Sequence, residues 1–295
     1  MAKIAFDLSR ALDQRRASGE RGGTTSRALA RGDGWAVADV VCTSGPDDHP
    51  FEERHEQYSI AVVLAGTFQY RGPAGHAVMT PGSLMLGNAG HCFECGHEHG
   101  EGDRCVSFWY APAYIERIAA DAGHRGGKLE FRLPRVPAVR PLASTVAAVA
   151  AGVVGTTTSW EELAIQLAAH AVTLASDDAP RYRVPRGAEA AVTGVIRGIE
   201  GRPDSQLALI DMARQAGLSP YHFLRTFQRV AGVTPHQYLL RARLRDAAVR
   251  LAAGRVKILD VALDCGFGDV SNFNRAFRAE FGMSPRAFQR RVTRG

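Results

Sequence analysis

Met212-Ala213-Arg214-Gln215-Ala216-Gly217-Leu218-Ser219 is followed by Phe223-Leu224-Arg225-Thr226-Phe227 and then by Gly232-Val233-Thr234-Pro235. The same order returns downstream as Val261-Ala262-Leu263-Asp264-Cys265-Gly266-Phe267-Gly268, Phe273-Asn274-Arg275-Ala276-Phe277 and Gly282-Met283-Ser284-Pro285. The first block recurs at an offset of 49 and the later blocks at 50. One residue has therefore been added in the turn of the second copy.

Each copy has a direct physical reading. Leu209, Met212, Ala213 and Ala216 fall on one helical face, as do Ile258, Val261, Ala262 and Cys265. The glycine that follows can take the positive φ that ends a helix. A bulky apolar residue then anchors the turn. Ser219 can cap the next helix, with Pro220 at its first position, where no amide hydrogen is needed. Asp269 holds the equivalent place in the second copy. Phe223/Phe227 and Phe273/Phe277 are i, i+4 pairs that point inward. Helix, glycine turn, helix is the helix-turn-helix arrangement, whose second helix enters the major groove. Between the copies, Gln237–Ala253 is a proline-free helix rich in Arg and Leu that can hold the two units at a fixed separation.

With the phenylalanines inside, the outward positions of the first recognition helix are Tyr221, His222, Leu224, Arg225 and Gln228. The offset places Ser271, Asn272, Asn274, Arg275 and Arg278 opposite them. Arginine pairs with the O6/N7 edge of guanine and asparagine with adenine, while Tyr or Leu can touch a thymine methyl. The competing reading has both arginines on phosphates or capping a neighbouring helix. Arg241, Arg243, Arg245, Arg286 and Arg290 are expected to contact phosphates or to form a solvated face.

Residues 188–292 resemble the DNA-binding domain of the AraC/XylS family of bacterial transcription regulators. The resemblance rests on Cys265-Gly266-Phe267, Phe273-Asn274-Arg275-Ala276-Phe277 and Gly282-Met283-Ser284-Pro285. It implies that Tyr221, Leu224 and Arg225 in one copy, and Ser271, Asn274 and Arg275 in the other, occupy base-reading positions. The N-terminal part looks like the cupin-type sensor and dimerisation domain common in that family, on Val62-Val63-Leu64-Ala65-Gly66 and on Pro81-Gly82 with its following strand.

The charge is divided in the same way. Residues 181–295 carry 20 Arg and Lys against 9 Asp and Glu, a net +11, which leaves −5 for the remainder of a +6 chain. A basic module beside a slightly acidic one suits a DNA-binding part joined to a sensor. The expected fold class is α+β and multidomain: an N-terminal cupin-like β-barrel with dimerisation helices, then an all-α double helix-turn-helix domain. The expected boundaries are a poorly ordered, polar 1–30, a cupin-like sensor at 31–135, dimerisation helices at 136–177, a linker at 178–187 and the DNA-binding domain at 188–295. Short apolar runs at Ile60–Ala65 and Ser83–Leu86 with Gly/Pro turns support the strands. Thr145–Val154 and Glu161–Ala175, nearly free of charge, support the helices and offer a dimer surface. The first 30 residues lack the apolar core of a secretion signal, and Leu142–Trp160 is too poor in Leu, Ile and Phe to span a membrane. Cytoplasmic location with reduced thiols is expected.

A second cluster has its own chemistry. Cys92, Cys95, His97, His99 and Cys105 fall close together, a soft donor set suited to zinc or another transition metal. On an extended strand Cys95, His97 and His99 would face one way. Reversible thiol oxidation and a purely structural role are the other readings of the cluster. His55 and Glu56 precede Gly66, where metal-binding cupins carry ligands, but the rest of that ligand pattern is absent. The chain is expected to be a sequence-specific regulator, not an enzyme. Its expected partners are double-stranded DNA, a second copy of itself, RNA polymerase if it activates, and a small-molecule, metal or redox effector. The alternative is a metal-dependent cupin enzyme fused to a DNA-binding tail. A methyl-accepting repair protein needs four cysteine ligands, and Cys42, Cys92, Cys95 and Cys105 lie instead in a strand-rich pattern.

Overall fold

A computed structural model describes residues 2–124, 128–155, 158–175, 185–254 and 256–292. The strands are β1 (Thr24–Gly32), β2 (Trp35–Cys42), β3 (Phe51–Arg54), β4 (Tyr58–Gly66), β5 (Phe68–Gly72), β6 (Gly75–Met79), β7 (Leu84–Gly87), β8 (Cys92–Gly96), β9 (Asp103–Tyr110) and β10 (Arg135–Val136). The helices begin with α1 (Ala2–Ser18), α2 (Pro112–Asp121), α3 (Ala143–Val153), α4 (Trp160–Leu174) and α5 (Arg186–Gly201). They continue as α6 (Leu209–Gln215), α7 (Pro220–Ala231), α8 (Pro235–Ala253), α9 (Ile258–Asp264), α10 (Val270–Phe281) and α11 (Pro285–Val292). The chain divides into two compact units, one of Phe6–Pro137 with Ser159–Arg183, the other of Met1–Ala5 and Ala138–Thr158 with Val184–Gly295. Among the described residues no helix is long and apolar enough to cross a membrane.

The strand unit consists of two antiparallel sheets, ordered β1-β2-β9-β4-β7-β10 and β3-β8-β5-β6. Alternation along each strand sorts its side chains between two faces. Ala61, Val63 and Cys105 of the larger sheet pack with Phe68, Tyr70 and Cys95 of the smaller one, so this face is the interior between the sheets. The opposite parity on β4 and β9 meets helices. Phe108, paired with Ile60, lies against Trp160, and the Tyr110 hydroxyl donates to the Ala164 carbonyl at 2.9 Å. Every residue of β4 before Gly66 is therefore buried, which is why Ile60–Ala65 is a continuous apolar run rather than an alternating one.

Two expectations need correction here. Residues 2–30, read as poorly ordered, hold α1 and most of β1. Charge makes this segment look unstructured, but the charges have fixed partners. Arg15 donates to Asp48 at 2.6 Å, Arg104 reaches Asp7 at 2.9 Å, and Leu8 is buried. The apolar helices at 136–177 do not form one element group. Ala143 and Ala147 of α3 enter the core of the C-terminal unit with Leu244, Phe277 and Phe281. On α4, Leu163, Ala164, Leu167, Ala168 and Ala171 are buried within the strand unit's helix layer. These side chains are covered within the chain, while Ile165 of α4 is exposed. The linker expected at 178–187 lies largely outside the described residues, and α5 has begun by Arg186.

Candidate functional site

In the C-terminal unit the repeat becomes two matched helix pairs, α6–α7 and α9–α10. Gly217 and Gly266 have φ of +64° and +82°, the left-handed turn that ends α6 and α9. The added residue lies in the second turn: α9 starts 49 residues after α6, and α10 starts 50 after α7. Ser219 Oγ accepts from the His222 amide at 3.4 Å, and the Asp269 carboxylate accepts from the Asn272 amide at 2.7 Å. Each recognition helix thus starts on a side-chain cap. Gly232 and Gly282 close α7 and α10 in the left-handed region. Thr234 then opens α8 with a reciprocal cap, its Oγ1 taking the Gln237 amide and Gln237 Oε1 taking the Thr234 amide, both at 3.2 Å.

Phe223, Phe227, Phe273 and Phe277 are each 0% exposed, with edge and tilted ring contacts inside each pair. Their burial fixes the rotation of α7 and α10, and so decides which residues face outward. Tyr221, Arg225 and Gln228 are exposed on α7 and Leu224 is half-buried; Ser271, Asn272, Asn274 and Arg275 are exposed on α10. Arg225 Nη1 donates to the Tyr221 hydroxyl at 3.3 Å with its guanidinium over the ring, and Arg275 Nη2 donates to Asn272 Oδ1 at 3.3 Å. Both arginines are held from their own helix, one turn back, and keep most of their donors free for a ligand. Their forked donors match a guanine edge or a phosphate.

The arginines of α8 are different. Arg241 pairs with Glu280 at 3.1 Å and donates to the Ala138 carbonyl; Arg243 donates to the carbonyls of Pro203 and Ser205; Arg245 is buried on Glu200. The expectation that these three contact phosphates is corrected: they tie α8 to its neighbours. Arg286 and Arg290 on α11 are exposed, as expected. Leu209, placed on the core face of α6, is 40% exposed, while Met212, Ala213 and Ala216 are buried.

The cysteine and histidine cluster lies in the strand unit and is assembled differently from its sequence reading. Cys92 is exposed at the start of β8, opposite Arg54. Cys95, His97 and Cys105 are buried. His99 follows the end of β8 at Gly96, on the turn before β9, so strand alternation no longer governs where it points. The five residues therefore do not converge. Among the described residues, the one set of three His, Cys, Asp or Glu ligand atoms lying within 4.8 Å of one another is Cys42, His97 and Asp103. Cys42 and Asp103 face each other across the β2–β9 ladder, and His97 arrives from the other sheet, its Nε2 at 2.8 Å from Asp103 Oδ1. Burial works against a charged His97, yet the bonds to Asp103 and Cys42 carry it up to about 9. Burial likewise raises Cys42, but His97 beside it brings the thiol below its ordinary value. Cys95 and Cys105 are pushed well up, first by burial and then by Asp103. Sequence reading missed Cys42 and Asp103. The available signal was the spacing Asp103-x-Cys105, which puts both on one face of a strand.

His55, the other residue placed near a cupin ligand position, stacks on Phe93 at 4.0 Å and meets the Tyr70 hydroxyl at 3.0 Å, while Glu56 is exposed. The two side chains diverge and do not form a ligand pair.

Two capped helix-turn-helix pairs with outward polar helices define a DNA-binding module. Comparison with known proteins places that module. The family described as helix-turn-helix domain matches residues 212–291. The probable transcriptional regulator LumQ of Photobacterium leiognathi is 41% identical over 92 residues, 31% of this chain and 37% of that protein. The transposon Tn10 TetD protein of Escherichia coli is 35% identical over 99 residues, 34% of this chain and 72% of that protein. A solved transcriptional regulator with an AraC-type DNA-binding domain, from Chromobacterium violaceum, is 26% identical with a TM-score of 0.34, over 37% of this chain and 96% of that one. The chain belongs to the AraC/XylS family of transcription regulators. It spans little more than a third of the length of LumQ, and each likeness quoted covers about a third of this chain.

Proposed function

We propose that the chain is a sequence-specific regulator of transcription that binds double-stranded DNA through α7 and α10 and takes its signal in the strand unit. The observation that carries this is the matched exposure of the two helices. Tyr221, Leu224, Arg225 and Gln228 on one, and Ser271, Asn272, Asn274 and Arg275 on the other, lie opposite buried phenylalanine pairs. Two such helices separated by α8 suit major-groove segments about one helical turn, roughly 10 bp, apart. The excess of Arg and Lys in this part of the chain favours the phosphate backbone. The reading is of a cytoplasmic protein without catalytic activity, working with RNA polymerase where it activates. The divergence of His55 and Glu56 supports regulator over cupin enzyme. The pairing of two copies is part of the same proposal, with sedimentation of the intact chain at micromolar concentration as its measure.

The test is selection of bound sequences from random DNA by the intact protein, then by Arg225→Ala and Arg275→Ala. Each variant should lose about 1–3 kcal/mol and relax preference at one base position. Equal weakening on selected and random DNA would put both arginines on phosphates and end the base-reading role.

A further inference from the structure

The DNA-binding reading makes no use of the interior of the strand unit, where Cys42, His97 and Asp103 meet. We propose that the Cys42 thiolate, the His97 imidazole and the Asp103 carboxylate form a binding site for a single thiophilic divalent cation of the zinc class. Their ligand atoms lie within 4.8 Å of one another. Tetrahedral zinc holds S, N and O ligands at about 2.0–2.3 Å, which sets ligand atoms ~3.5 Å apart. His97 and Asp103, at 2.8 Å, need to open slightly, and Cys42 needs to close by no more than about 1.3 Å. Cys42 of β2 and Asp103 of β9 are laddered on both sides, and His97 directly follows the last residue of β8.

Three further observations point the same way. His97 is 4% exposed, and its Nδ1 has no hydrogen-bond partner among the described residues. An ion that takes the lone pair of one ring nitrogen leaves the other as an N–H donor, the arrangement metal-bound imidazoles keep. With the ion on Nε2, the Asp103 Oδ1 that faces this nitrogen at 2.8 Å becomes a co-ligand instead of a hydrogen-bond acceptor. Second, a thiolate, a carboxylate and a neutral imidazole around a dication sum to zero charge, which a buried site requires. Third, the Cys105 thiol donates to Asp103 Oδ2 at 3.2 Å and so holds the carboxylate in place from outside the ligand set. A mixed S, N, O set selects a borderline cation over calcium or magnesium, which take oxygen ligands alone. Binding releases the Cys42 thiol proton and the proton shared by His97 and Asp103 to solvent, with no change of oxidation state.

The measurement uses the intact chain, purified without an affinity tag and stripped with chelator under reductant. Cobalt(II) is titrated in, followed by its thiolate charge-transfer band and the strong d–d bands of a tetrahedral site, and then displaced with zinc. Binding of about one ion per chain, with a thiolate band, is expected. Cys42→Ser should abolish the band, Asp103→Asn should weaken binding about 10–100-fold, and Cys92→Ser should change nothing. Less than about 0.2 ion per chain in the unsubstituted protein overturns the proposal. So does a thiolate band that survives Cys42→Ser, or one that vanishes in Cys92→Ser while circular dichroism is unaltered. None of these readouts involves DNA, so their failure leaves the regulator reading intact.

Discussion

At the scale of single residues, type and neighbourhood give different answers for the same side chain. Arg241 and Arg225 are both arginines on helices of a basic module. Arg225 is exposed, whereas the Arg241 and Glu280 side chains are 16% and 11% exposed and paired. Arg241→Ala should therefore cost about 1–3 kcal/mol of stability, since it leaves Glu280 without its cation. It should leave the salt dependence of DNA binding unaltered; a slope smaller by about one would restore a phosphate contact. His55 gives a pH dependence. Burial, with a lesser contribution from His91, holds it down at about 4. Unfolded, the group titrates near 6.5. Its neutral form therefore stabilises the fold above that value, and the contribution is lost as pH falls toward 4. The whole difference is about 3 kcal/mol. Compared with His55→Gln, the unsubstituted protein should lose more stability between about pH 7 and about pH 4.5 in denaturant titrations. Parallel losses would show that another group titrates.

At the scale of elements, the two helix-turn-helix copies form an internal control. Gly217 and Gly266 share a left-handed φ, so alanine is strained at both. A Cβ on Gly217 meets nothing within 4 Å, whereas on Gly266 it falls 2.6 Å from the Asp204 carbonyl oxygen, with more backbone behind it. Gly217→Ala should cost about 1–2 kcal/mol, the left-handed penalty alone. Gly266→Ala should cost more, because the loop before α6 must move. Thermal unfolding of the two variants orders them, and equal losses would mean that the 204 loop yields freely. The sequence shows the same glycine twice; only the packing of a loop distant in sequence separates the two positions.

At the scale of the whole molecule, the chain order of the helices does not match the units they serve. α3 precedes α4, yet Ala143 and Ala147 lie in the core of the C-terminal unit and α4 covers the strand unit. Ala147→Asp should destabilise the intact chain by at least about 2 kcal/mol, because a buried charge would face Leu244 and Phe277. Ser144→Asp, on an exposed position of the same helix, should stay within about 0.5 kcal/mol. Denaturant unfolding followed in the intact protein separates the two. If both substitutions are silent, α3 is not part of that core.

The sequence by itself determined the helix-turn-helix pairs, their caps and the rotation of their outward faces. All of these are set by contacts a few residues apart: an i, i+4 phenylalanine pair, a glycine at a turn, a serine or aspartate before a first turn. The strand-rich character of Ile60–Ala65 and its turns was legible for the same reason. The tertiary structure decided which charges are free and which are spent, and which cysteines meet. Arg241 finds Glu280 across 39 positions, and Cys42 finds His97 and Asp103 across more than fifty. Such partners are chosen by strand register and helix docking. Neither leaves a mark on the local pattern, since an arginine or a cysteine occurs in the same surroundings whether its partner is solvent or another element.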